Sequence, residues 1–287
     1  MPAGEMGRPF GHKHPPASLR GEVEMKTEMT RRSSLAAMAA LTAAPLVATA
    51  ATTRKGCDSM PPVTIYHLEG RRSERIVWLM EELGLPYELR FKRGDLKGSM
   101  DLIRAINPIV PMAPTVQYGD QILVESGAII ELILDRHGAG KLKPALDSAD
   151  LPHYLIWMHF AEGSLAARLF SDYRAWMAKP PEVRSPLVDS EAVVQFAESF
   201  LPDHPWFGGA EFSGADIMML FPLNVATALN LVDEKQFPNV AAWKAKIEER
   251  PALKRTREKA LPDGLIGSLP RLPRHAPSGP RASLPSS

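Results

Sequence analysis

Between Val63 and His137 the chain alternates short apolar runs with stretches in which apolar residues return every three or four positions. "VTIYHL" predicts a short strand. In "RSERIVWLMEELG" Ile76, Leu79, Met80 and Leu83 share one helical face, and Gly84 supplies the stop. "PYELRF" reads as a second strand and Gly98 to Ile106 as a helix. Thr115-Val116 and Ile122 to Val124 form a hairpin about Gly119-Asp120, which runs straight into the amphipathic helix "ESGAIIELIL".

Strand, helix, strand, helix, strand, strand, helix is an α/β pattern closed by an antiparallel pair, the order of a thioredoxin-like domain over 61–138. After the linker "GAGKLKPALDSAD" the strand period disappears. "LPHYLIWMHFAEGSLAARLFSDYRAWM" is a long helical run with aromatics at three- and four-residue spacing, and "SEAVVQFAESFL" is another helix. "FSGADIMMLFPLNVATAL" opens on Ser213 and Asp216, a capping-box variant, and two short helices follow with Pro251 at their junction. Residues 149–262 therefore predict an all-helical second domain.

The ends have another character. Residues 1–24 are rich in Gly and Pro without periodicity and read as disordered, as does the Pro/Ser/Arg-rich tail of 263–287. Within 25–60 a twin arginine (Arg31, Arg32), an Ala-rich run from Leu35 to Ala51 and an A-x-A site at Ala48 to Ala50 have the three parts of a twin-arginine export signal, implying a periplasmic protein. The alternative is an upstream extension of a cytoplasmic chain, since Met60 stands just before the first strand. The apolar run is too weak and short for a membrane span.

Charge is nearly balanced, 34 Lys+Arg against 33 Asp+Glu, so no global field points to nucleic acid. Cys57 is the only cysteine, which excludes an internal disulfide framework, a CxxC pair and a cysteine-based zinc site. His12 and His14 sit in the Gly/Pro-rich tail without a scaffold, so no metal is expected.

Two features of "MAPTVQYGDQILVES" do not suit a plain hairpin: Pro114 opens a strand without a donor, and the helix begins at Glu125 and Ser126. With "IVWLMEELGLPYEL", "NP…APTV", "ESGAII", "HFAEGSL", "FSGADIMM" and "FPNVAAWKAKIEERPAL" in order, the chain from Val63 to Leu261 resembles the soluble, two-domain glutathione transferases. The resemblance implies a cis Pro114, with the Ala113 backbone free to pair with the cysteinyl residue of glutathione as an added strand. It implies that Glu125 and Ser126 take the α-amino and α-carboxylate groups of the γ-glutamyl residue, as a helix N-terminus suits an anion. As a residue, Ser126 also reads simply as an N-cap. Met112 stands where many members have a cation near the glycyl carboxylate, and the segment from Asn107 to Pro114 is one residue longer than usual.

A free thiol has a pKa of about 8.5, so a transferase needs a donor, a cation or a helix dipole beside the sulfur. Tyr66 falls where tyrosine-type members carry their catalytic phenol. Arg71 or Arg72 stands near the serine or cysteine position of the other types, with Ser73 slightly beyond. Tyr66 also reads as a core aromatic and Ser73 as an N-cap, while the arginines raise local positive potential or bind an acidic substrate. Tyr154, Trp157, Met158, Ala161 and Leu165 are candidate walls for a second substrate, or helix–helix core. The expectation is a homodimeric glutathione transferase acting on a small electrophile, with glutathione as co-substrate. A glutathione-dependent reductase or isomerase is the enzymatic alternative, and a non-catalytic binding or regulatory protein the other.

Overall fold

The computed structural model describes residues 60–179, 190–264, 267 and 269–272. The export-signal segment, His12, His14 and Cys57 lie outside them. Four strands, β1 (Val63–Tyr66), β2 (Glu88–Arg90), β3 (Thr115–Tyr118) and β4 (Gln121–Val124), form a sheet in the order β2-β1-β3-β4. β1 runs parallel to β2 and antiparallel to β3, and β3 to β4 is the expected hairpin. This is the thioredoxin-like arrangement.

Side chains alternate across β1, as the strand period of two requires. Val63 and Ile65 bury in the main core with α1 (Glu74–Leu83) and α3 (Ser126–His137). Tyr66 and Leu68 instead join Ile103 of α2 (Leu96–Ile106) in a separate cluster on the opposite face. Gly84 ends α1 at φ 66°, and its N–H returns to the Met80 carbonyl, a left-handed cap for which a side chain would be strained.

The second half is helical among the described residues: α4 (Leu151–Phe160), α5 (Ala167–Ala178), α6 (Ser190–Phe200), α7 (Gly214–Ala228), α8 (Pro238–Glu248) and α9 (Pro251–Ala260). Both bonds of the Ser213–Asp216 capping box are made at the start of α7. Asp216 is fully buried and also accepts from the Phe207 N–H and the Trp243 indole. Burial outweighs these bonds and raises its pKa to about 6. α4 and α5 are joined by a π-helical turn, Ala161–Ala166, and a proline, Pro222, sits inside α7.

α1 lies between the halves. Its Glu82 receives Arg250 bidentately at 2.7 and 2.8 Å, and its Glu81 receives Arg255 and Lys259 of α9. The segment after Asp263, expected to be disordered, is tied down at its described residues. Leu272 is buried and donates to the Leu229 carbonyl, Tyr173 donates to the Pro270 carbonyl, and Arg71 donates to that of Gly267. Leu272 finds apolar partners in the main core that Pro-rich composition alone does not reveal. Among the described residues no helix is long and apolar enough to cross a membrane.

Candidate functional site

The turn from β1 into α1 brings the chemistry together. His67 at the end of the strand is fully buried. Its Nε2 lies 2.6 Å from the Ala260 carbonyl, and its Nδ1 lies 2.8 Å from the Ser73 hydroxyl. A carbonyl only accepts, so Nε2 carries the proton in the neutral ring and Nδ1 accepts from Ser73. Burial lowers the His67 pKa to about 4, against the pull of that carbonyl. Ser73 also accepts from the Leu68 N–H at 3.0 Å. It stands at the N-cap position of α1 without making a side-chain cap bond, because its hydroxyl faces back into the turn. The proton of Ser73 is thus directed inward, away from any ligand.

Two residues further, Arg75 is 2% exposed and joins both halves of the fold. One terminal nitrogen donates to Ser126 Oγ at 3.3 Å and to Glu162 Oε1 at 2.5 Å, and the other donates to the Met218 carbonyl at 2.6 Å. That carbonyl is available because the residue four places on is Pro222, which has no N–H to bond it within α7. Glu162 reaches the arginines from the π-helical turn, where the wider winding re-aims side chains relative to a regular helix. Burial alone would raise its pKa, but the bond from Arg72 and the charges of Arg75 and Arg72 hold it below the usual range. Burial lowers the Arg75 pKa to about 10, opposed by Glu162, so the group stays charged at neutral pH.

On the other side of Arg75 lies the end of the hairpin. The Ala113-Pro114 bond is cis, and the Ala113 N–H and C=O have no hydrogen-bond partner among the described residues. Glu125 is exposed at φ 71°, an uncommon conformation for a residue with a side chain. It makes no side-chain cap bond, so the first N–H groups of α3 have no side-chain partner there. Ser126 is buried beneath it with Oγ on Arg75. Met112 is half-buried, and its carbonyl accepts from the Thr115 hydroxyl at 2.6 Å.

A cavity of about 580 Å³ opens on the Arg75 side, between the start of α1, α5, α7 and the end of α9. Arg72 and Arg75 line it, and its apolar wall includes Phe170, Ile217, Leu220, Phe221 and Leu269. The five expected wall residues are elsewhere. Tyr154, Trp157, Met158, Ala161 and Leu165 are all buried in the interhelical core, and Trp157 packs on Phe196, Phe200 and Phe207. Tyr66 does not line the cavity either. Its parity in β1 turns it to the α2 face, where Ala113 packs on the same cluster and its phenol lies beside Arg90. The structure therefore groups Arg72, Arg75, Glu162 and Ser126, and leaves Tyr66 and the five expected wall residues of α4 and the π-helical turn outside the group. Arg75 and Glu162 were missed in the sequence. The available signal was Pro222 in a helical run, which frees a carbonyl four residues earlier. Among the described residues no cluster of three or more His, Cys, Asp or Glu can hold a metal.

The family profile described as "Glutathione S-transferase, N-terminal domain" matches residues 61–135, and "Glutathione S-transferase, C-terminal domain" matches residues 177–251. The chain is similar to Glutathione S-transferase 3 of Schizosaccharomyces pombe, 26% identical over 69% of this chain and 87% of that protein. It is also similar to Glutathione S-transferase 1 of Saccharomyces cerevisiae, 24% identical over 70% of this chain and 97% of the relative. Among solved structures, a glutathione S-transferase from Actinobacillus pleuropneumoniae covers 71% of this chain and 94% of its own, at 28% identity and TM-score 0.59. A glutathione transferase family member from Pseudomonas fluorescens, solved with two glutathione bound, shares the fold at 23% identity and TM-score 0.56, over 68% of this chain and 91% of its own.

Proposed function

The chain belongs to the glutathione S-transferase family, and on that premise we propose that it joins the thiolate of glutathione to a small electrophile. The observation that carries this reading is the convergence of two features at one end of the β3–β4 hairpin, where Thr115 pairs with Val124. The Ala113 backbone is unpaired beside an α3 N-terminus whose Ser126 is held by Arg75. An extended peptide gains two main-chain bonds at Ala113, and an α-carboxylate gains N–H groups and the helix dipole at Ser126. Exposed Glu125 faces the α-ammonium.

In the reaction the thiol loses its proton to water, the sulfur forms a bond to carbon, and the electrophile releases its leaving group or takes up a proton. The positive end of α1 and the Arg71-Arg72 segment before it favour the thiolate. Neither Tyr66 nor Ser73 is assigned to it. Positioning of the two reactants supplies the remainder.

The test is calorimetric titration with glutathione, followed by conjugation of a chloroarene. Ser126→Ala removes a hydroxyl and is expected to weaken glutathione binding about tenfold or more, as loss of a bond to a charged group does. Binding unchanged by Ser126→Ala sinks the site assignment. A second reading, a binding or regulatory protein without turnover, is favoured by the inward-turned Ser73 hydroxyl and the misplaced Tyr66 phenol. Tight glutathione binding with no turnover across an electrophile panel selects it. We also carry the two-fold dimer and export as proposals. Light scattering tests the first, and the N-terminus of the mature native protein tests the second.

A further inference from the structure

We infer that the 580 Å³ cavity selects an electrophile with an acidic head group, held by the Arg72 guanidinium, and an apolar body packed against Phe170 and Phe221. The transferase reading supplies only the word substrate; the charge and shape of the site stand without it.

The cavity is apolar over most of its wall, yet four of its lining residues are arginines, Arg71, Arg72, Arg75 and Arg257, against one glutamate, Glu74. Three of these arginines are already committed. Arg71 donates to the carbonyls of Glu69, Gly70 and Gly267. Arg257 forks onto Glu248, and Arg75 is spent on Ser126, Glu162 and Met218 apart from its Nε, which is buried without a partner.

Arg72 differs. Only its Nε is bonded, to Glu162 at 2.8 Å, and its two terminal nitrogens have no hydrogen-bond partner among the described residues. The guanidinium is nevertheless held in place, 4.9 Å from the Phe221 ring centroid and 5.3 Å from that of Phe170. Two aromatic faces and one carboxylate fix the plane while a pair of donors is left over. That is the geometry a carboxylate meets bidentately, and ring contacts lower the cost of holding the arginine ready.

The charge balance agrees. Counting Glu162 and Glu248 with the lining residues leaves one positive charge in excess. Burial raises the Glu74 pKa; Arg257 opposes this and Glu248 adds to it. A neutral hydrophobic guest would use the walls and leave the Arg72 fork facing an apolar body, at the cost of its hydration.

The experiment uses a matched pair of chloroarenes, 4-chloro-3-nitrobenzoate and 4-chloro-3-nitrobenzamide, titrated calorimetrically into the full chain with and without saturating S-methylglutathione. The acid is expected to bind about tenfold or more tighter than the amide in both conditions. Arg72→Gln is expected to bring the acid to the affinity of the amide while leaving the amide unchanged, and the unchanged amide shows that the variant is folded. Equal affinities of acid and amide overturn the inference, as does an Arg72→Gln variant that keeps the preference. Displacement of the acid by S-methylglutathione, one for one, also overturns it, because the acid would then occupy the glutathione site and not the cavity beside it. Failure of glutathione itself to bind sinks the transferase reading separately, since the acid preference is measured without it.

Discussion

Replacing His67 by glutamine should remove a specific pH dependence from the stability of the fold. The ring is fully buried, and its pKa falls from 6.5 to about 4 because burial disfavours the imidazolium. The unfolded chain therefore takes up a proton first as the pH drops. This contribution is fully present above pH 6.5, is lost as the pH falls toward 4, and changes no further below that. At about 1.4 kcal/mol per pH unit the interval is worth about 3 kcal/mol. Asp216 works in the opposite sense: its pKa is raised to about 6, so its contribution is lost as the pH rises from 3.8 through 6. The wild-type curve alone mixes the two, and the difference between wild type and His67→Gln isolates the histidine. Glutamine keeps an N–H for the Ala260 carbonyl and does not titrate. Urea unfolding at pH 7.5, 6, 5 and 4 is expected to show the stability difference moving in favour of the variant by about 3 kcal/mol across the series. A difference that stays constant across it would refute the assignment of a neutral, buried His67 with Nε2 as donor.

The other predictions concern neighbouring parts of the site. Tyr66→Phe should leave the conjugation rate within about twofold, whereas a hundredfold loss would restore the phenol as the thiol-activating group. Glu162→Gln strips the carboxylate from Arg75, whose side chain is 2% exposed. Glu162 is itself about one-third open to solvent, so we expect a loss of about 2 kcal/mol by urea unfolding, below the range for a wholly buried pair. Adding Arg75→Met should recover part of that loss, and a purely additive double variant would show that the two charges are not coupled. Ser213→Ala removes half of the capping box and should cost about 1 kcal/mol, with glutathione affinity unchanged.

How much was legible depends on sequence distance. Gly84 and the start of α3 at Ser126 could be read because the turn and helix that give them meaning lie within a few residues of each, whereas the cis bond at Pro114 was implied by family resemblance. Tyr66 was readable in principle: Val63 and Ile65 face the main core, so strand alternation sends Tyr66 to the other face. Family register pulled the expectation the other way. Tyr154, Trp157 and Met158 lie on α4, with Ala161 and Leu165 on the π-helical turn after it, and periodicity cannot tell which apolar face meets a cavity and which meets another helix.

Arg75 shows the same limit in a polar group. Inside an amphipathic helix an arginine reads as a solvated residue, yet here it is buried by partners 51, 87 and 143 positions away. The cavity draws on α1, α5, α7, α9 and Leu269. The sequence by itself determined the elements, their order and the hairpin that leads into α3, because hydrogen-bond geometry and side-chain period act over a turn or a pleat. Only the tertiary structure decided which arginine is spent on the protein and which is left facing the cavity, because that depends on where distant carboxylates and carbonyls come to rest.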